Sequence, residues 1–557
     1  MRKHALDSVD LELYRNRLSA VAEEMGAVLQ HTGLSPNITA RRDFSCAVFD
    51  ADGGMVTHAA HIPVHLGSTP LSVRAAIDAL DMGPGDVVML NDPFAGGTHL
   101  PDVTVVAPVY LSGPSGRSRP FAYVADRAHH ADIGGASPGS MPLATEIYQE
   151  GFRAPPVHLV RRGAIVPETR SLFLANTRVP DERTGDLEAQ LSALRAGQKR
   201  MIDLVARHGA FEITLAMREL QAYSARMVRR FIRTIPRGKW LATDFLDDDG
   251  FGHGPIPIRA SWRRLNDLLE VDFAGTAAQV RGPLNTNLAV TTSAVFYVIA
   301  SLVGREIPAN RGMMDPVRIR APLGSIVNCR FPAAVAGGNV ETSQRIVDVL
   351  LRALARALPE RIPAASCGSM TNIALGGYDS ARGRHFAYYE TVGGGAGAGP
   401  RREGASALQT HMTNTLNTPI EVLEAYYPLR VTRYAIRRGS GGIGLHRGGD
   451  GIDREIEAVA KLEATLLADR RIGSPTGIAG GESGAPGLDT TTSRRGSERI
   501  PSKVRLELEP GDRIRVRTPG GGGWGRSRAA TPKKVRRRGA RPSRARRGGA
   551  RSPKDDA

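Results

Sequence analysis

Between about Asp181 and Ile235 the apolar residues Leu187, Leu191, Leu194, Met201, Leu204, Leu215, Met217, Leu220 and Met227 recur at helical spacing. This block constrains the fold most, because amphipathic helices of that length must bury their apolar faces against other parts of the chain. On either side of it the sequence breaks into short apolar runs cut by Gly, Asp and Pro. Ser45–Phe49 and Asp86–Leu90 before it, and Leu268–Phe273 after it, read as strands. Helical and strand-like blocks in separate stretches of one chain predict an α+β protein.

The rest of the chain fills in this outline. Leu11, Leu18, Val21, Met25, Val28 and Leu29 predict an opening helix over about Ser8–Gln30, behind a start signal at Ser8 and Asp10. Asp50–Gly53 has the composition of a hairpin turn, Val290–Val303 that of a buried helix, and Glu341–Leu358 that of another helix. From Leu429 to Gly525 short strands separated by Gly-rich turns predict a β-rich region. A chain of 557 residues is too long for a single core, so several packed units are expected. They divide as 1–235, a central α+β region over 236–428, a β-rich region over 429–525 and a basic disordered tail over 526–557. The 63 Gly and 36 Pro imply many loops, the places where sites tend to be built.

A net charge of +18 invites a nucleic-acid reading. Residues 526–557, however, hold 13 Lys and Arg against 2 Asp and Glu, which leaves only +7 for the remainder. A segment such as Lys533–Arg538, without apolar periodicity, cannot bury enough surface to fold. It reads as a solvated tail, with nonspecific contact to polyanions as the other reading; no specific nucleic-acid partner is expected. Cys46, Cys329 and Cys367 are too few and too scattered for a disulfide framework or a paired-cysteine metal cluster. Met1–Asp7 carries positive charge with no apolar run behind it, unlike a signal peptide. No apolar run reaches the roughly 18 residues of a membrane helix, and Leu288–Gly304 is interrupted by Thr and Ser. The expectation is a cytoplasmic protein without a membrane partner.

Chemistry concentrates in two stretches. Asn91–Asp102 follows a predicted strand and carries His99 and Asp102 three residues apart; Asp126–Asp132, with His129 and His130, follows the predicted strand Phe121–Ala125. Adjacent strands could bring the two clusters together. One carboxylate and two imidazoles suit Mn, Fe or Zn with positions left open for water and substrate. Gly96–Gly97 and Gly134–Gly135 would let backbone approach a ligand closely. The competing reading is a pair of hydrogen-bonded loops.

Arg41–Cys46, His61–Ser68, Asn91–Asp102 and Ala128–Gly135 resemble motifs of the hydantoinase B/oxoprolinase family. The resemblance continues through Ala334–Gln344, Tyr388–Thr391, Thr410–Thr415 and Thr518–Gly525, covering about residues 5–525. It implies a multi-domain hydantoinase B-like architecture and an ATP-dependent amidohydrolase of the N-methylhydantoinase or 5-oxoprolinase type. In that scheme an A-type partner subunit, using ATP with Mg, phosphorylates the carbonyl of a small cyclic amide and the B-type subunit completes hydrolysis. Residue by residue, His99, Asp102 and His129 take the places of the family's divalent-metal ligands. Asp43 matches an acidic residue suited to activating water, with an ion pair to Arg41 or Arg42 as its plainer reading. His130 and Asp132 are expected as supporting partners of the ligands, and His61 and His65 as packing residues or as part of the site lining. Related family members carboxylate ketones, and a metal-binding subunit of such an enzyme is the alternative; a polyanion-binding protein led by the basic tail is the non-enzyme alternative.

Three further motifs are open. Ala336–Ser343 opens a predicted helix whose free N–H groups could hold a carboxylate or phosphate, or it is simply a cap. Gly393–Gly399 is glycine-rich but lacks the Gly-Lys-Ser/Thr ending of a P-loop, so no ATP site is read there. Thr410–Pro419 clusters hydroxyls and amides that either bind a polar substrate or bond one another in turns.

Overall fold

The computed structural model describes residues 6–59, 61–111, 119–304 and 306–527; the basic tail expected from residue 526 lies outside the described residues except for Arg526 and Ser527. Helix α1 (Ser8–Thr32) is capped by Asp7, whose carboxylate accepts the N–H groups of Val9 and Asp10 at 2.8 Å, so the start signal sits just before the residues expected to give it. After a short α2 (Pro36–Thr39), β1 (Phe44–Asp50) and β2 (Met55–His58) form the hairpin whose turn was legible at Asp50–Gly53. Helix α3 (Thr69–Ala79) follows. Then come β3 (Val87–Leu90), β4 (Asp102–Val109), β5 (Ala122–His129), β6 (Val157–Arg161) and β7 (Ala164–Ile165). These strands make one antiparallel sheet in the order β2-β1-β5-β4-β3-β6-β7. The helical block follows α4 (Pro167–Ala175) and is two helices, α5 (Pro180–His208) and α6 (Ala210–Thr234). They are separated at Gly209, whose φ of +83° few other residues tolerate.

This sheet is buried on both faces, which is why its strands read as nearly continuous apolar runs. Cys46, Val48, Val105, Ala107, Ala122 and Val124 point into a core shared with Leu18, Met25, Leu187 and Leu194 of α1 and α5. Ala47, Phe49, Val106, Tyr123 and Ala125 point the other way, as the period of two requires. There they meet the second sheet and its helices. That sheet is β8 (Lys239–Leu246), β9 (Ile256–Leu265), β10 (Leu268–Asp272) and β11 (Val317–Arg320), ordered β11-β10-β9-β8. Helices α7 (Leu288–Val303) and α8 (Ser343–Leu354) supply Val295, Val298, Ile346 and Leu350 to the same core. The fully buried Trp262 of β9 donates its indole N–H to Leu350 O at 2.9 Å, satisfying its one polar group.

Beyond α8 the chain forms β12 (Asn372–Asp379), β13 (Arg384–Thr391), α9 (Ile420–Tyr426), β14 (Leu429–Arg437), β15 (Gly451–Ala458), β16 (Leu462–Leu467), β17 (Leu488–Ser493), β18 (Gly496–Arg499), β19 (Lys503–Leu508) and β20 (Arg513–Arg517). They assemble as two sheets, β13-β12-β16-β19 and β14-β15-β20-β17-β18. The glycine-rich segments knit these sheets together largely through backbone hydrogen bonds. Gly521 N–H donates to Gly449 O, Gly522 to Ala365 O, Gly523 to Glu482 O and Gly395 to Pro519 O. A Cβ at Gly521 would collide with the Ala396 carbonyl, and one at Gly395 with the Gly449 carbonyl. Gly393–Gly399 is therefore part of a packed glycine bundle. Among the described residues no helix is long and apolar enough to cross a membrane.

Candidate metal centre

Three adjacent strands of the first sheet place Asp43, His129 and Asp102 in one row. Phe44 of β1 pairs with Ala128 of β5, so Asp43 sits beside His129 and its carbonyl accepts the His129 N–H at 2.9 Å. On the other side of β5, His129 pairs with Asp102 of β4. All three side chains have the parity of Ala47, Ala125 and Val106 and so face the second sheet. Strand β5 runs through His129 rather than stopping near Ala125 as expected, and this puts His129 inside the row. His99 comes from the turn just before β4. That turn is braced by Asn287 at the start of α7, whose amide donates to the carbonyls of Pro93, Gly97 and Thr98 at 2.8, 2.9 and 3.2 Å.

The ligand atoms of His99, Asp102 and His129 all lie within 4.8 Å of one another, and all three residues are buried. Among the described residues, both ring nitrogens of His99 and Nε2 of His129 have no hydrogen-bond partner; the 3.3 Å approach of His99 Nε2 to Asp102 Oδ1 lacks the geometry of a bond. Buried imidazole nitrogens without partners are costly unless something binds them. Burial, with the nearby His99, pushes the His129 imidazole well below its ordinary range. It is neutral, as a metal donor must be. Burial opposes charge on Asp102, yet the imidazoles of His99 and His65 hold its carboxyl well below the usual range. The donor set therefore fits a divalent cation of the Mn, Fe or Zn kind on its own chemistry.

Asp102 is held by more than its partners in the set. Thr98 donates its hydroxyl to Oδ2 at 2.6 Å, His65 Nε2 lies 3.3 Å from the same oxygen, and the Asn339 amide stands 3.5 Å away. His65 is oriented in turn by Ser45 Oγ, 2.8 Å from its Nδ1. His129 is stacked against Tyr389 at 4.6 Å with rings 10° from parallel, and the Asn37 amide lies 3.3 Å from its Nδ1. Asp43 is 3.7 Å from Arg41 and also lines a cavity of about 20 Å³ with Asp102, His129, His65 and Tyr389, which has room for about one water. Burial raises the Asp43 carboxyl to about 6 against the pull of Arg41.

Several expectations change here. His130 and Asp132 do not support the ligands. His130 is the next residue after His129, so it points to the opposite face and meets Gln190 of α5 at 3.0 Å. Asp132 binds Arg178 at 2.9 Å and the N–H groups of Gly134 and Gly139. The supporting role falls to His65. His61 packs on Phe44 and Gly26 and accepts the Cys46 N–H at 3.2 Å, a structural position. The glycines near the cluster serve backbone packing: a Cβ at Gly97 would meet the Asn91 carbonyl, and one at Gly135 the Glu150 backbone. At the predicted start of the helix near residue 341 the chain makes a single wide turn over Gly338–Thr342 before α8. The N–H groups of Val335 and Ala336 before it are taken by Glu150 Oε1 at 2.7 and 2.8 Å, a carboxylate of this same chain. Tyr389, Asn37 and Thr98 were missed. Tyr389 and Thr98 lie inside motifs carrying the resemblance, but no local pattern assigns them a partner.

The sequence profile of the hydantoinase B/oxoprolinase family matches residues 7–527, and the chain belongs to that family. It is 39% identical to an uncharacterized protein of Methanocaldococcus jannaschii over 93% of this chain and 91% of that one. It is 37% identical to 5-oxoprolinase 1 of Arabidopsis thaliana, where the match covers 94% of this chain but only 42% of that protein. With the B-type subunit of a putative D-/L-hydantoinase from a Pseudomonas species identity is 30%, over 95% of this chain and 92% of that one. In three dimensions it is similar to the ATP-dependent caprolactamase of Pseudomonas jessenii, with a TM-score of 0.86 and 28% identity, over 94% of this chain and 93% of that one.

Proposed function

We propose that this chain is the B-type, hydrolytic subunit of an ATP-dependent cyclic-amide hydrolase that opens a hydantoin or 5-oxoproline ring after a separate A-type subunit has phosphorylated the ring carbonyl. The observation that carries the proposal is the buried His99, Asp102 and His129 set, with unpartnered imidazole nitrogens, beside the Asp43 carboxyl. The names of the relatives support the substrate class, and the Pseudomonas hydantoinase match, described as a subunit, supports a partner.

A divalent ion held by His99, Asp102 and His129 would supply Lewis acidity, lowering the pKa of water and polarising the substrate oxygen. The protein's own groups do the rest. Asp43, ionised above about pH 6, accepts the proton of the water that attacks the activated carbon; the ring C–N bond then breaks as the ring nitrogen takes up a proton, and a second water hydrolyses the resulting acyl phosphate to carboxylate and inorganic phosphate. His65 and Thr98 fix the Asp102 carboxylate, and Asn37 with Tyr389 fixes the His129 ring, so neither must reorganise during the reaction. The walls leave space for about one water, which keeps bulk solvent from the phosphorylated substrate. A ring substrate needs more room than this, so the site must widen to admit it.

The test is reconstitution. Purified chain, an A-type partner, ATP and 5-oxoproline or hydantoin should give ring opening, and omission of the partner or ATP should abolish it. Ring opening by this chain without ATP, or its absence when every component is present, would refute the assignment.

A further inference from the structure

A cleft of about 670 Å³ opens between β8, α8 and the segments 363–365 and 476–478, and it shares no lining residue with the metal-site cavity. Its rim carries Lys239, Arg352 and Arg356, all exposed and without an ion pair or side-chain hydrogen bond among the described residues. Arg352 in the last turn of α8 and Arg356 in the turn just beyond it both line the cleft. The two carboxylates in the wall are already neutralised from behind. Asp244 takes Arg470 at 2.7 and 3.2 Å, while Oδ2 of Asp348 takes Arg345 at 2.8 Å and Arg470 at 3.1 Å. The rim charge is therefore left facing the cleft.

At the floor stands His411, from the Thr410–Pro419 stretch whose sequence left substrate binding and self-bonded turns both open. Its side chain is only 9% exposed, and its Nε2 lies 3.6 Å from Asp348 Oδ1. Among the described residues neither atom has a hydrogen-bond partner; the ring's Nδ1 lies 3.4 Å from the Tyr297 hydroxyl, so His411 is held in the wall. Trp240, Leu241 and Leu351 give one wall an apolar character. The geometry points to a second binding site, for a small phosphate-bearing molecule, with the anion on the cationic rim and the body against Trp240. Guanidinium–phosphate contacts are the strong, charge-assisted kind.

Calorimetric titration at fixed ionic strength, with inorganic phosphate and with phenyl phosphate, tests this. Wild type should bind both saturably, phenyl phosphate more tightly through the apolar wall. R352A/R356A should weaken both by about 10–100-fold. The two arginines are exposed, so their loss spares the fold. Equal affinity for the two probes would assign the site to free phosphate rather than an ester. No saturable binding to wild type, or equal binding to wild type and R352A/R356A, would overturn the proposal.

Discussion

Replacing Asp43 by Asn removes a proton acceptor while nearly preserving shape. Asp43 is 7% exposed, and burial raises its carboxyl to about 6, so at neutral pH it is ionised yet more basic than a solvent-exposed carboxylate. A positioned general base contributes about 10²–10⁴-fold, equivalent to about 3–5 kcal/mol of barrier. The fold should survive, because Arg41 keeps its bonds to Tyr389 O at 2.7 Å and to Thr391 Oγ1 at 3.2 Å. The assay is steady-state ATP-dependent ring opening with the partner present, alongside metal content for both proteins. The account predicts a kcat loss in the stated range with metal retained. Asp43 works deprotonated, so the wild-type rate falls as pH drops through about 6, and D43N lacks that acid limb. If D43N stays within about tenfold of wild type and keeps the limb, Asp43 is only the ion-pair partner of Arg41 and the base lies elsewhere.

Two other perturbations follow from the same geometry. His65→Gln should weaken metal retention by about 10–100-fold, read by competition with a chelator; unchanged retention would mean that His65 does not orient Asp102. Burial raises Glu150 from 4.5 to about 8 in the folded chain, against the lowering effect of the Ala336 and Val335 N–H groups. A raised carboxyl stabilises the fold fully below about 4.5, and that contribution is lost as pH rises to about 8. Glu150→Gln keeps an acceptor for both N–H groups without charge. Its stability relative to wild type should therefore increase across that window in chemical denaturation, and parallel pH curves would contradict the assignment.

The elements with long periodicity, α1, α5 and α6, were legible, as were the apolar run of α7, the strand before Asn91 and the turn at Asp50–Gly53, because local pattern alone specifies them. His99, Asp102, His129 and Asp43 were named from motifs, and the sheet register brings three of them into one row. The roles of neighbours separated in sequence were not legible. His65 reaches Asp102 across 37 residues, and Tyr389 stacks on His129 from β13 in another sheet. The assignment of His130 failed on a simple ground: in a strand, adjacent residues face opposite ways, and reading the histidine pair as lying in a loop hid this. The glycine segments were likewise unreadable, since their pairing through backbone joins residues such as Ala365 and Gly522 that no local signal connects.

Elemental analysis of the purified wild type beside a His99→Ala/Asp102→Ala variant tests the central claim most directly. The account predicts about one equivalent of a divalent transition metal in the wild type and its loss in the variant, with the fold retained by circular dichroism. Equal metal content in the two proteins would contradict it.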